Sequence, residues 1–242
     1  MAELSDRQRL LLKAIIELYA KDGAPVGSEA VEKNYDLGVS PATIRNEMVR
    51  LTDLGYIKQP HTSAGRIPTS IGFRLYINEL MSEKEMPVVD EVKIRQQMME
   101  YRSVYERMLK EATKALAQKC GTLALVVDDN GDVYYAGAAN ILDIPEFYDI
   151  DVARFVLSLF DEFPMLQQII GKAQGAEPLH IIFGDETEFE FLRPTSFAFL
   201  RYGDPGMRGG VVGVIGPARL NYPVILPYLR YVGDILTEVG RV

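Results

Sequence analysis

Between Ser40 and Gly55 the chain carries a helix with both of its ends written into the sequence. Ser40 can cap the N-terminus, Pro41 takes the first helical position, where its missing N–H costs nothing, and Gly55 stands where a left-handed residue is wanted. Counted from those ends, Ile44, Met48 and Leu51 fall at i, i+4 and i+7 and form the inward side. Ala42, Asn46 and Val49 then face outward, with Thr43, Arg45 and Arg50 on the flanks.

The residues upstream supply two further helices. Ser5 followed by Gln8 reads as a capping box, and Leu11, Ile15 and Leu18 recur at helical spacing until Gly23. A short helix follows Ser28, with Ala30, Val31 and Tyr35 as its apolar side, and Gly38 breaks it. Three helices within about 50 residues, the last two tightly connected, form a helix-turn-helix pattern. After Gly55, Tyr56-Ile57-Lys58-Gln59-Pro60 and Ile67-Pro68 read as two short strands around the polar tip His61-Thr62-Ser63-Ala64-Gly65-Arg66, which is the form of a wing.

The outward face of the third helix is equipped to read DNA. A major groove admits one helix, and the N-terminal half lies closest to the bases. Asn46 can bond an adenine edge, Arg45 can take guanine or phosphate, and the Ala42 and Thr43 methyls can touch thymine. Ser40 and the first backbone N–H groups suit a phosphate. A plain solvated helix would also set charge opposite an apolar stripe. The wing adds weight to the DNA reading, because Gly55 to Asn78 holds Lys58, Arg66 and Arg74 and no carboxylate. The expected DNA-contacting set is Ser40, Ala42, Thr43, Arg45, Asn46, Arg50, His61, Thr62, Ser63, Gly65 and Arg66.

Net charge over the 242 residues is -8, but it is unevenly placed. Residues 1–84 hold eleven Lys/Arg and eleven Asp/Glu, so the whole acidic excess lies in residues 85–242. Apolar runs such as Gly209 to Pro217 are too short to span a bilayer and the N-terminus is not a signal peptide, so a cytoplasmic protein with no membrane partner is expected. One cysteine and two distant histidines leave no disulfide and no zinc pattern. No cofactor and no metal are expected.

From Val88 to Lys119 there is no Gly or Pro, and Ile94, Met98, Tyr101, Tyr105, Met108, Ala112 and Ala115 follow steps of four and three. This predicts one long linking helix with a single apolar seam. Ile94, Met98, Tyr101, Tyr105 and Met108 are either a dimer seam or a face packed on the chain's own sheet. Strands are predicted at Leu123–Val127, Val133–Ala138, His180–Phe183, Phe189–Leu192, Ser196–Tyr202 and Val211–Ile215, the first two joined by an Asn130-Gly131 hairpin turn. Helices over Asp151–Lys172 and Tyr222–Val239 complete an α+β domain. The expected division is residues 1–81, the DNA-binding domain; 82–119, the linking helix; and 120–242, the sheet domain.

An enzyme is not expected. Cys120 has no histidine near it in sequence and reads as a buried structural thiol. Glu188 and Glu190 alternate about Phe189 as on a solvated strand face, beside Asp185 and Glu186. His180 opens an apolar strand, and Gly206, Gly209, Gly210, Gly213 and Gly216 fit neither a dinucleotide fingerprint nor a P-loop.

Several stretches are specific. Val39-Ser40-Pro41-Ala42-Thr43-Ile44-Arg45-Asn46-Glu47-Met48 with Gly55-Tyr56, Gln59 through Thr69, and Asn140-Ile141-Leu142 with Pro145-Glu146-Phe147 and Gly213 through Tyr222 resemble the HrcA family of heat-inducible transcription repressors. The resemblance implies a winged helix-turn-helix, a GAF-like domain, and a homodimer on an inverted-repeat operator in double-stranded DNA upstream of chaperone operons. It also implies a GroEL-type chaperonin as a partner in the stress response. The inserted dimerising domain that the resemblance implies has no room here, because Leu123–Val127 runs through one short turn into Val133–Ala138. The alternative function is a winged-helix regulator whose GAF-like domain senses a small molecule.

Overall fold

The computed structural model describes residues 4–175 and 177–241. They form two compact units that divide between Ser82 and Glu83.

In the first unit α1 (Asp6–Asp22) opens with the capping box: Ser5 Oγ accepts from the Gln8 N–H at 3.3 Å and the Gln8 side chain accepts from the Ser5 N–H at 3.0 Å. A left-handed Gly23 closes it. After α2 (Ser28–Asn34) comes α3 (Pro41–Asp53), capped by Ser40 Oγ on the Thr43 N–H, with Gly55 left-handed just beyond. Leu11, Leu12, Ile15, Val31, Ile44, Met48 and Leu51 are buried together as the unit's core. Strands β1 (Ile57–Lys58) and β2 (Ile67–Pro68) pair antiparallel, followed by α4 (Ser70–Leu75) and one π-helical turn, Tyr76–Leu80. Thr69 welds the wing to this helix, its Oγ1 donating to the Gly55 carbonyl at 2.6 Å and accepting from the Gly72 N–H at 3.2 Å.

The second unit is a five-stranded antiparallel sheet with helices on both faces. In chain order its elements are α5 (Val88–Met99), α6 (Tyr105–Cys120), β3 (Leu123–Asp128), β4 (Val133–Ala136), α7 (Ile150–Ser158), α8 (Phe163–Gly171), β5 (Leu179–Phe183), β6 (Thr195–Tyr202), β7 (Gly210–Pro217) and α9 (Tyr222–Gly240). The strand order is β4-β3-β7-β6-β5. Alternation divides the sheet's side chains. Leu123, Leu125, Val127, Phe197, Phe199 and Ile215 meet Val152, Val156, Leu166 and Ile169 of α7 and α8. The opposite face carries α6 and α9, where Gly233 of α9 makes room for Leu200, whose Cδ2 would lie 2.4 Å from a Cβ at that position. The predicted hairpin is present: Gly131 is left-handed and Asp128 Oδ1 accepts from the N–H groups of Asn130 and Asp132 at 3.0 and 2.9 Å. This α+β architecture is the one expected.

Three elements differ from expectation. The helix predicted over Val88–Lys119 is two helices, α5 and α6, which fold back on each other through Tyr101–Val104. Gln97 Nε2 donates to Glu111 Oε2 at 2.9 Å, whereas a straight helix would separate those residues by about 21 Å. The apolar seam is what drives the fold-back: Ile94, Met98 and Met108 are buried inside the chain itself, with Tyr101 and Tyr105 half-buried. Periodicity identified the apolar face but not the surface it covers, and here much of it is spent within the chain. The helix predicted over Asp151–Lys172 also divides in two, because Pro164 sits in the first turn of α8, a position proline tolerates in place of a helix interior. Phe189–Leu192 is no strand but a loop ending in a 3-10 turn, Glu190–Leu192. Phe189 and Phe191 stack against Phe155 of α7 at 5.3 and 5.9 Å, so these aromatics cap a helix rather than extend the sheet, and the Glu188–Glu190 strand face does not exist.

Candidate nucleic-acid interface

The third helix presents the face that its spacing predicts. Ile44, Met48 and Leu51 are buried, while Ala42, Arg45, Asn46 and Val49 are exposed. Arg45 and Asn46 make no hydrogen bond or ion pair among the described residues, which leaves their full donor sets available to a ligand. Ser40 is exposed at the N-cap and Thr43 half-buried beside it, their hydroxyls 3.1 Å apart. Arg50 is different. Its Nη1 donates to Glu47 Oε1 at 2.9 Å, so its charge is partly answered within the helix.

Glu47 is the residue that the periodic pattern did not single out. It is buried, and its other oxygen accepts from Gln8 Nε2 of α1 at 3.0 Å. A carboxylate between two donors, one on each helix, fixes the rotation of α3 against α1 and so the direction in which Arg45 and Asn46 point. The Arg50 contact is three residues away on the same helix, a legible spacing. The Gln8 contact spans 39 residues and carries no local signal.

The wing is held at its tip and at its base. Gln59 Nε2 donates to the carbonyls of Thr62 and Ala64, both at 2.9 Å, which shapes the exposed tip of His61, Thr62 and Ser63. At the base Arg66 and Val26 exchange both backbone hydrogen bonds at 2.8 Å, stitching the wing to the strand-like residue before α2. Gly65 permits this approach, since a Cβ there would lie 2.5 Å from the Val26 carbonyl. The Arg66 guanidinium crosses to α3, its Nε donating to Thr52 Oγ1 at 3.1 Å.

A groove of about 410 Å³ runs between α3 and the wing. It brings together Arg45, Thr62, Ser63, Gly65 and Arg66 of the expected contact set, with Gln59 and Val26 beside them. Ser40, Ala42, Thr43, Asn46, Arg50 and His61 do not line it. Hydroxyls and two arginines, against the single carboxylate of Glu29, suit an anionic backbone better than a small apolar ligand. An exposed, capped helix beside a carboxylate-free wing defines a winged helix-turn-helix DNA-binding regulator.

Comparison with known proteins makes this particular. Residues 3–81 match the family profile described as "Winged helix-turn-helix transcription repressor, HrcA DNA-binding", and residues 52–226 match the "HrcA protein C terminal domain". The chain belongs to the HrcA family of transcription repressors, which is not a family of enzymes. Among its relatives, the heat-inducible transcription repressor HrcA of Symbiobacterium thermophilum is 27% identical over 98% of this chain and 99% of the relative, and that of Clostridioides difficile is 26% identical over 98% and 99%. A crystal structure described as that of a hypothetical protein shares the fold at a TM-score of 0.77 and 20% identity, over 98% of this chain and 99% of the other. The alignment with the Symbiobacterium thermophilum repressor runs over 343 positions against 242 residues here, so at least 101 positions have no counterpart in this chain. Nearly all of each protein is covered, so those positions fall inside the relative rather than beyond its ends. No helix of the described residues is long and apolar enough to cross a membrane.

Proposed function

We propose that this protein represses heat-shock (chaperone) operons in the cytoplasm by binding an inverted-repeat operator as a homodimer. Helix α3 enters the major groove, with Arg45 and Asn46 reading base edges and Ala42 and Thr43 making apolar contacts, while Ser40, Thr62, Ser63 and Arg66 hold the sugar-phosphate backbone. The observation that carries this reading is that Arg45 and Asn46 are exposed on α3 with no partner among the described residues, and that Arg45 also lines the groove that α3 shares with the wing. Two-fold symmetry follows from the operator, because one winged helix neutralises too few phosphates for tight binding at physiological salt. Dimerisation then uses surfaces of the sheet unit that remain exposed. A GroEL-type chaperonin, implied by the family resemblance, would be the partner that sets repressor activity.

The test is a footprint on DNA upstream of the chaperone operons in the source genome, with a scrambled inverted repeat as control. Protection of the intact repeat at nanomolar protein, lost on scrambling, is expected. Equal affinity for both duplexes overturns the reading.

A further inference from the structure

We propose that Thr52, near the C-terminal end of α3 and beyond Arg45 and Asn46, is a positioning residue for DNA binding that acts through Arg66. This deepens the DNA-binding function above and rests on it. Thr52 Oγ1 donates to the Met48 carbonyl one turn back at 2.8 Å, which fixes the hydroxyl and turns a lone pair outward. Arg66 Nε donates into that lone pair at 3.1 Å. The hydroxyl is thus a hinge pin: one bond to the recognition helix, one to the wing.

The consequence concerns the arginine fork. A guanidinium offers five N–H donors in one rigid plane, and holding Nε leaves the four N–H donors of the two amino groups within that plane. Arg66 is half-buried at the base of the groove that Arg45 also lines, and the backbone of Arg66 is already fixed by its two bonds to Val26. With main chain and Nε both anchored, the plane that carries the remaining donors is set beside the groove before DNA arrives. Thr52 therefore lowers the ordering cost of the wing contact without touching DNA itself.

Thr52→Val removes the hydroxyl while keeping the branched shape, and Thr52→Ser keeps the hydroxyl. In hydrogen-deuterium exchange of the free protein, residues 59–66 should exchange faster in Thr52→Val and like wild type in Thr52→Ser. Operator affinity should fall about tenfold in Thr52→Val, the size expected for losing a hydrogen bond to a charged group, and recover in Thr52→Ser. The salt dependence of binding should stay unchanged in Thr52→Val, because Arg66 keeps its charge, and Thr52→Val added to Arg66→Ala should cost nothing further. Arg66→Lys, which keeps the charge and loses Nε, serves as the second variant should the valine disturb folding. Wild-type exchange in Thr52→Val, or faster exchange with wild-type operator affinity, overturns the proposal. Failure of the wild-type protein to select any operator would instead remove the DNA reading itself, whatever the exchange shows.

Discussion

Arg219 grips Glu146 across 73 residues of chain, Nε to Oε1 at 2.6 Å and Nη2 to Oε2 at 3.0 Å, with both side chains largely withdrawn from solvent. The pair ties the turn after β7 to the 3-10 turn Pro145–Phe147, and two neighbours complete the arrangement. Asn140 Nδ2 donates to the carbonyls of Ala117 and Thr122 at 3.2 and 3.1 Å, and Ser196 Oγ donates to the Pro217 carbonyl and accepts from the Tyr222 hydroxyl, both at 3.0 Å. The two C-terminal stretches that resemble the HrcA family thus meet in one place, and the contact they make is architectural. Arg219→Ala leaves a shielded carboxylate without its partner and should cost about 3 kcal/mol of unfolding free energy by urea titration. A loss below about 1 kcal/mol would show that solvent answers Glu146 instead.

Arg45→Ala and Asn46→Ala should each weaken operator binding by about 1–3 kcal/mol, because each removes donors that the proposed reading sets against a base edge. Neither side chain has a partner among the described residues, so the thermal midpoint should not move in either variant. Gel-shift titration beside a melting curve reads both quantities. Unchanged affinity in both variants means that another surface reads the DNA.

Met98→Lys separates the two roles that the apolar seam could have. Met98 is fully buried within the chain, packed where α5 folds against α6 and α9. A lysine there must strand a charge in the core, so the second unit should lose its cooperative unfolding transition rather than simply change its association state. Val92→Lys, on the exposed side of α5, should leave that transition intact. A folded Met98→Lys protein with altered light scattering would return the seam to the interface role.

What could be read from the sequence was whatever is decided within a turn or two of chain. Ser40, Pro41 and Gly55 fixed the recognition helix because capping is local, and the i, i+4, i+7 apolar set fixed which side of it faces out. The hairpin at Asn130-Gly131 follows equally local rules. Contacts between distant residues left no such trace: nothing near Gln8 announces Glu47, and nothing near Arg66 announces Thr52. The seam's partner stayed open in the sequence for a related reason, since a heptad run is the same whether it faces another chain or a helix 14 residues on.

Cys120 should be chemically silent in the folded protein. Cys120 is half-buried rather than buried at the end of α6, and the desolvation there pushes its thiol up to about 12, so almost no thiolate exists near neutrality, and the thiolate is the nucleophile. Iodoacetamide at pH 8 should leave the native protein unmodified by mass spectrometry over an hour and label it fully in urea. Rapid labelling without denaturant would place the thiol at the surface.

His180 should make the protein acid-sensitive. Its ring is buried on β5 against Phe199, with centroids 5.5 Å apart, and its Nε2 has no hydrogen-bond partner among the described residues. Burial, then the Arg201 charge on the neighbouring strand, hold the imidazole below its ordinary 6.5, while Glu177 opposes them more weakly. In the unfolded chain the ring regains that ordinary value. As pH falls through about 6.5 the unfolded state therefore binds a proton that the folded state refuses, and stability declines by up to about 1.4 kcal/mol per pH unit until the folded ring titrates as well. The contribution is fully present above pH 6.5 and is lost on the acid side. His180→Phe keeps the aromatic contact with Phe199 and removes both the orphaned nitrogen and the titration. Urea unfolding at pH 7.5, 6.5 and 5.5 should then show a decline in wild type that is absent, or clearly smaller, in the variant. Parallel pH profiles for the two proteins would show that the ring already titrates normally in the folded state.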